Sequence, residues 1–478
     1  MKNKINKTTF EQRFTENLSH LPTVDQKNAI DKLTEFITSD KQFEIFMLSG
    51  FAGTGKTTLI STFVKTLTEN RIKSYLMAPT GRAAKVLSNY SGKPAYTIHR
   101  SIYFPNTDTE GRSSFRLGEN KRTNTIFIVD EASMVSTFSG ISDAHSFSQR
   151  DLLADLLEYV YAADNCKLIF VGDKGQLPPV GMDQSPALDQ DFLSKNYAFD
   201  IVSAELKQVV RQEAKSGILD ISLQLRNYSE EIPQLRFNQK DAIRLSGENL
   251  QETLESAIDQ YGQENVMVVN RSNKRANLFN QQIRQRILWQ EDEINSGDVV
   301  MVVSNNYYWL DASSKAGFIA NGELLKIKKI LKREEIYGFD FVDVTAQFID
   351  YPDIPEIEVK MMTQAIYSES ANLPREQLKA LFFRIAEEEY PLERNKRVRN
   401  KKVMENPYFQ ALQVKFGYAV TCHKSQGGQW PVVFIDQGYF TPEMWTVDYM
   451  RWLYTAVTRA SEKLYLLNFH TAFTGSEE

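Results

Sequence analysis

The chain has 478 residues, 42% of them hydrophobic and 24% charged, with a formal net charge of −5. That length exceeds what one core usually holds, so two large domains with insertions are expected, and the ordinary composition argues against long disorder. Mild net acidity excludes a polybasic protein but not a nucleic-acid partner, because phosphate contacts depend on the local field of a groove, screened over about 8 Å.

The first residues, MKNKINKTTFEQRF, are polar and lack the apolar stretch of a signal peptide, and no apolar run approaches the ~18 residues that cross a bilayer. A cytoplasmic protein without membrane contact is therefore expected. Cys166 and Cys422 are the two cysteines and neither belongs to a CxxC pair, which argues against a structural zinc or a disulfide framework.

The first apolar segment, Glu44 to Ser49, reads as a buried strand. It runs into Gly50-Phe-Ala-Gly-Thr-Gly-Lys-Thr-Thr58 and then into a helical pattern with apolar Leu59, Phe63, Val64 and Leu67. Strand, G-x-x-x-x-G-K-T and helix form a phosphate-binding loop in its required context. Backbone N–H groups of Gly50, Gly53, Thr54 and Gly55 can curl around phosphates at a helix N-terminus. Lys56 would pair with the β- and γ-phosphates of ATP, the Thr57 hydroxyl would ligate Mg²⁺, and Thr58 continues the motif.

Between Arg100 and Leu117, two β-like stretches flank the polar segment Asn106 to Gly111, which reads as a hairpin. Its aromatics Tyr103, Phe104 and Phe115 either stack on bases or pack the hairpin onto its domain. Further on, the buried strand Thr125-Ile-Phe-Ile-Val ends in Asp130-Glu131, where an NTPase needs one carboxylate for the Mg²⁺ shell and one to polarise the attacking water. A helix cap is the alternative use of such a pair, and Lys56 upstream favours the catalytic one. The strand Lys167-Leu-Ile-Phe-Val then ends in Gly172-Asp-Lys-Gly-Gln-Leu-Pro-Pro-Val180. Alternating strands and helices of this kind imply an α/β fold with parallel sheets and ligands at the C-terminal strand ends.

From about 293 to 410 the pattern changes to short strands: Gly297–Val303, Glu323–Ile330, Phe339–Val344 and Glu356–Val359. They suggest a small β-barrel. A helical stretch from Pro374 to Tyr390 follows, then the basic run Arg394 to Lys402, which either binds a phosphate backbone or is a solvated surface beside Glu387–Glu389.

Taken in order, these segments resemble superfamily 1 helicases, specifically the SF1B branch of RecD-like, Pif1-like and phage Dda-type DNA helicases. The resemblance runs from about Gln26 to Ala460. Leu21-Pro-Thr-Val-Asp-Gln26 resembles the adenine-reading segment. Ala78-Pro-Thr-Gly-Arg-Ala-Ala-Lys-Val-Leu87 is similar to motif Ia, and Thr97-Ile-His99 to the signature after it. Asp130-Glu-Ala-Ser-Met134 and Gly172–Val180 resemble motifs II and III. Leu206-Lys-Gln-Val-Val-Arg211-Gln212 resembles motif IV, Val420-Thr-Cys-His-Lys-Ser-Gln-Gly427 motif V, and Leu453-Tyr-Thr-Ala-Val-Thr-Arg-Ala460 motif VI.

The resemblance implies two RecA-like domains, a projecting hairpin (1B) and an SH3-like barrel (2B). The expected limits are 1–200 for domain 1A with 1B at about 92–122, 201–292 and 411–478 for domain 2A, and 293–410 for 2B with its helical extension. It further implies that Gln176 senses the γ-phosphate and that Arg211 and Arg459 reach the phosphates from the second domain, as always-charged, fork-shaped guanidinium groups suit. Pro79, Thr80, Thr97, His99, Thr421, His423, Lys424 and Gln426 are candidates for strand contact or coupling. The implied activity is ATP-dependent translocation on single-stranded DNA, 5′ to 3′, with duplex unwinding at junctions. The alternatives are a protein-displacing translocase and an ATP-gated binding regulator, and RNA stays open as a partner. Both halves of the ATP site lie on one chain, so a monomer is expected.

Overall fold

The computed structural model describes residues 6–107, 113–137, 151–209, 216–310, 318–351, 353–370 and 372–474. In the first half the strands are β1 (Glu44–Gly50), β2 (Lys73–Ala78), β3 (Ala95–Thr97), β4 (Tyr103–Thr107), β5 (Ser113–Leu117), β6 (Thr125–Val129), β7 (Lys167–Gly172) and β8 (Asp200–Leu206). Six of them form a parallel sheet in the order β3-β2-β6-β7-β1-β8, while β4 and β5 pair antiparallel as the expected hairpin. Every residue of β1, β6 and β7 is buried. Side chains alternate faces along a strand. Phe46 and Leu48 therefore join Phe36, Leu59 and Phe63 in a core on one face, and Ile45 and Met47 join Phe127, Leu156 and Phe170 in a core on the other. Helices must cover both faces, and this two-sided burial is what a continuous apolar run demands of a parallel sheet.

The second half holds β9 (Ala242–Leu245), β10 (Val266–Asn270), β11 (Val299–Val302), β12 (Leu324–Ile336), β13 (Phe339–Phe348), β14 (Ile357–Met362), β15 (Leu412–Phe416), β16 (Ala419–Thr421), β17 (Trp430–Asp436) and β18 (Ala460–Leu467). A second parallel sheet runs β16-β10-β17-β18-β9, and β11 to β15 close into a barrel. The two RecA-like sheets and the inserted barrel are thus the architecture that the resemblance implies. The barrel leaves after β10 and returns into β16, which are hydrogen-bonded neighbours with Asn270 opposite Thr421. Arg284 anchors this junction, donating from Nε and Nη2 to the two Asp298 oxygens at 2.9 Å each, while the Tyr418 hydroxyl donates to Asp298 at 3.0 Å.

Two expected limits fall short of a strand. Strand β8 extends past 200 as the edge of the first sheet, and β15 closes the barrel beyond 410. The chain passes from barrel to sheet with only Gly417 and Tyr418 between β15 and β16, so no break in apolar pattern marks the crossing. A Cβ at Gly417 would come within 2.9 Å of Leu324 and Val299. The helical stretch is Arg375–Glu388, and the basic run folds as a second helix, Lys396–Met404. Leu381, Ile385 and Val403 of these helices pack on Phe339 and Phe341 at the barrel end. No helix among the described residues is long and apolar enough to cross a membrane.

Candidate active site

The phosphate-binding loop connects β1 to the helix Lys56–Glu69. Gly53 and Gly55 have φ of 78° and 85°, left-handed values that L side chains resist, so the loop needs glycine at both places. At Gly50 the constraint is space: a Cβ would lie 2.9 Å from the Leu206 carbonyl oxygen and from Thr54 Oγ1. The buried Thr54 hydroxyl donates back to the Phe51 carbonyl at 2.7 Å and tightens the turn. Lys56 curls over the loop, its Nζ donating to Gly50 O at 2.5 Å and Phe51 O at 3.0 Å, and lies 3.9 Å from Asp173 Oδ2.

Asp130 sits just past β6, across the sheet end from the loop. Burial, then the charge of Glu131, pushes its carboxyl up to about 7. The Glu131 amide donates to Asp130 Oδ1 at 2.9 Å, and Glu131 itself takes a left-handed backbone, φ 52°. A cavity of about 710 Å³ lies between the two RecA-like halves. Lys56, Thr57, Thr58, Asp130, Glu131 and Gln176 line it from the first, and Arg459 from the second. Gln176 is buried and its Oε1 has no hydrogen-bond partner. Arg459 is buried too, bonded to Thr455 O, Gly428 O and Thr458 Oγ1 at 3.0–3.1 Å. Arg211 lies outside the described residues.

Gln26 is fully buried at the start of the helix Val24–Thr38. Its Oε1 accepts from the Thr23 amide at 3.1 Å, completing a capping box, while its Nε2 has no partner. Gln26 is not among the residues that line the cavity; His20 is, and its Nε2 approaches Gln26 Oε1 at 3.3 Å. Sequence reasoning missed His20, although it directly precedes the Leu-Pro segment that marks Gln26.

The two halves are cross-tied at motif III. The Leu177 amide donates to Thr455 Oγ1 at 2.9 Å, and its carbonyl accepts from Gln426 Nε2 at 2.9 Å. Gln426 is 5% exposed. Of its two expected uses, strand contact or coupling, this placement fits coupling, since its amide is bound in the interdomain seam. Gly427 in turn presses on the first half, where an added Cβ would meet Ala83 Cβ at 2.8 Å and Thr80 Oγ1 at 3.2 Å.

The remaining motif residues fall in three places. Pro79 and Thr80 lead into the helix Gly81–Ser91, which Thr80 caps by accepting from Ala83 N at 3.2 Å. The barrel covers this helix start, since a Cβ at Gly81 would meet Glu323 Oε1 at 3.0 Å, and Arg82 and Lys85 lie 4.0 and 3.9 Å from Asp350. Thr97 is buried as the cap of Ile98–Ile102, accepting from Arg100 N at 3.2 Å. Burial pulls the His99 imidazole down to about 4, so at neutral pH it is uncharged. Thr421, His423 and Lys424 lie at the C-terminal end of β16. Burial lowers His423, and burial with Lys415 nearby lowers Lys424 to about 8.

Of the two uses open to the hairpin aromatics, Tyr103 takes the packing one. It is 6% exposed and its hydroxyl donates to Asp155 at 2.6 Å, so it pins the hairpin to the helix Leu152–Tyr161 and offers no face to a base. Phe104 lies against Gly118, where its ring leaves no room for a Cβ, and stays 48% exposed. The side chain of Phe115 lies outside the described residues. Two more residues that the sequence did not mark reach the phosphate-binding loop from the second half. Tyr454 Oη accepts from Ala52 N at 2.8 Å, and Arg226 Nη2 donates to Ala52 O at 3.2 Å. Tyr454 lies inside motif VI, five residues before Arg459, whereas nothing in the local sequence singles out Arg226.

Fold and site define a P-loop NTPase whose catalytic cleft is built between two RecA-like halves. An AAA-domain family model matches residues 23–248 and a UvrD-like helicase C-terminal domain model residues 416–467. An uncharacterized protein of Acanthamoeba polyphaga mimivirus is 25% identical over 92% of this chain and 98% of its own length. The ATP-dependent DNA helicase dda of Enterobacteria phage T4 is 26% identical over 64% of this chain and 67% of its own. The ATP-dependent RecD2 DNA helicase of Deinococcus radiodurans is 30% identical over 37% of this chain, and only 21% of that longer protein is spanned. The chain belongs to the superfamily 1 helicases, in the SF1B branch of RecD-like, Pif1-like and Dda-type enzymes, and is an ATP hydrolase.

Proposed function

We propose that this chain is a DNA helicase that moves 5′ to 3′ along single-stranded DNA and couples ATP hydrolysis to opening of duplex junctions. The observation that carries the reading is the cleft itself, with Lys56 and Glu131 on one wall and Arg459 on the other. A lone RecA-like domain can bind ATP, but movement needs a second domain that responds to the γ-phosphate. The relatives named as DNA helicases support the substrate class.

In this reading Gln26 holds the base, and its unpartnered buried Nε2 supports that role. Backbone amides around Gly53 and Gly55 cradle the phosphates and Lys56 neutralises them. Glu131 orients and deprotonates the attacking water, Gln176 offers its free Oε1 as the sensor, and Arg459, with Arg211, steadies the charge that develops on the transferred phosphoryl group. Thr57 and Asp130 supply hard oxygen donors on the cavity wall, the set that suits Mg²⁺ alongside substrate phosphates. That ion would contribute charge neutralisation of the phosphates. Pro79, Thr80, Thr97, His99, Thr421, His423 and Lys424 are proposed for strand contact or coupling, Gln426 for coupling, and Phe104 as the hairpin aromatic with a free face. Both walls of the cleft come from one chain, which supports a monomer, and such a motor would work at the nucleoid.

The test is steady-state ATPase with no nucleic acid, single-stranded DNA, duplex DNA and RNA at low salt, followed by unwinding of duplexes with 5′ or 3′ tails. Stimulation by single-stranded DNA and opening from the 5′ tail are expected, with turnover abolished by Lys56→Ala. Equal rates in all four conditions would sink the motor reading, and opening only from a 3′ tail would sink the polarity.

A further inference from the structure

The second RecA-like half grips the phosphate-binding loop at one residue from two sides. The Ala52 amide donates to Tyr454 Oη at 2.8 Å, and the Ala52 carbonyl accepts from Arg226 Nη2 at 3.2 Å. Tyr454 in turn donates to Asp173 Oδ2 at 2.7 Å, the oxygen 3.9 Å from Lys56 Nζ. Its ring meets Phe51 edge-on at 6.1 Å, and the Arg226 guanidinium lies 4.8 Å over the Phe51 ring. Gly175 makes the convergence possible: a Cβ there would lie 3.0 Å from Phe51, 3.1 Å from Tyr454 and 3.2 Å from Asp173.

The geometry carries a consequence for Lys56. The Ala52 N–H and the Phe51 carbonyl belong to one planar peptide unit, which moves as a rigid plate. Tyr454 holds its N–H edge while Lys56 Nζ donates to its carbonyl edge at 3.0 Å. A displacement of the motif VI helix Val447–Val457 therefore turns the plate that holds the catalytic ammonium, and moves Asp173, its other neighbour, in the same step.

We propose that Tyr454 is a positioning residue that transmits the placement of the second domain to Lys56 through the 51–52 peptide and Asp173, with Arg226 bracing the following peptide. The role rests on the motor reading above. It places the tyrosine hydroxyl, not only the motif VI arginine, in the coupling between domain closure and phosphate chemistry. Burial first and then Asp173 hold the Tyr454 phenol well above its ordinary range, so it stays protonated and able to donate. Phenylalanine keeps the ring and its packing and removes both hydroxyl bonds, leaving the Ala52 amide without this acceptor and Asp173 Oδ2 with Lys56 at 3.9 Å as its remaining neighbour.

The experiment measures ATP kinetics of the full chain with and without single-stranded DNA for wild type, Tyr454→Phe, Arg226→Lys and the double variant, beside thermal unfolding. Strand-stimulated kcat should fall about tenfold or more in Tyr454→Phe while KM for ATP stays within about twofold, because nucleotide still binds the first domain but Lys56 is misplaced at the chemical step. The double variant should be no slower than Tyr454→Phe alone, since both act through neighbouring peptides of one loop. Full stimulated kcat in Tyr454→Phe, an equal loss in kcat/KM arising wholly from KM, or strictly additive losses would overturn the role. If single-stranded DNA fails to stimulate wild type, the motor reading fails on its own, and the same split is then read on unstimulated turnover.

Discussion

Thr455→Val tests whether the seam between the two halves is held at motif III. Thr455 is fully buried, and its Oγ1 accepts the Leu177 amide at 2.9 Å across the domain boundary. Valine fills the same volume and leaves that amide unpaired. A buried unpaired N–H costs about 1–3 kcal/mol, so the ratio of closed to open halves should fall about 5- to 150-fold. The neighbouring bond from Gln426 Nε2 to the Leu177 carbonyl does not involve the hydroxyl and should hold the lower end of that range. Thr34→Val is the matched control: Thr34 is equally buried, but its hydroxyl donates to Ile30 O at 2.8 Å inside one helix of the first half. The assay is energy transfer between dyes on the two halves, placed on introduced surface cysteines because Cys166 and Cys422 are buried. Thr455→Val should lower the closed fraction and Thr34→Val should not. If both variants lose the same melting temperature and neither changes the closed fraction, the seam argument is wrong.

Three further outcomes follow from the same structure. Arg459→Ala should slow hydrolysis by ~10³-fold or more in single-turnover assays while nucleotide affinity changes little, because an arginine finger acts chiefly on the developing charge; normal hydrolysis would remove Arg459 from the site. Arg284→Met strands Asp298 in the junction between sheet and barrel, where both side chains are almost fully buried, and should cost about 3–5 kcal/mol in urea unfolding; a loss under 1 kcal/mol would mean that the junction relaxes around the charge. Glu323→Gln concerns pH. Burial first, then Asp350, raises the Glu323 carboxyl from 4.5 to about 8, so the folded state favours the protonated form. That stability is present below about 4.5 and is lost as pH rises through about 8. The glutamine variant should therefore lose less melting temperature than wild type between pH 6 and pH 9, and parallel melting curves would refute the assignment.

Much of the site was legible because the chemistry is local in sequence. Gly50 to Thr58 form one continuous loop whose conformation needs glycine at Gly53 and Gly55, and Asp130-Glu131 must end a buried strand to face it. The barrel was legible through period-2 strands, but not its last strand: β15 continues almost directly into β16, and an apolar run does not say which sheet it joins. Tyr103 shows the same limit. The sequence leaves this hairpin tyrosine open between stacking and packing, and the fold decides it through Asp155, a partner 52 residues away.

By itself, the sequence determined the nucleotide loop and the acidic pair, because each is carried by residues close together in the chain whose backbone geometry or burial permits few alternatives, while the class came from the resemblance of a whole series of ordered motifs. Only the tertiary structure decided what joins the halves. Gln426 turned toward Leu177, Tyr454 and Arg226 onto Ala52, and the barrel carboxylates toward the helix after Thr80. These are single hydrogen bonds and close contacts between segments up to 402 residues apart. They have no spacing signature, since any buried donor is satisfied by whichever acceptor the packing brings within 3 Å or so.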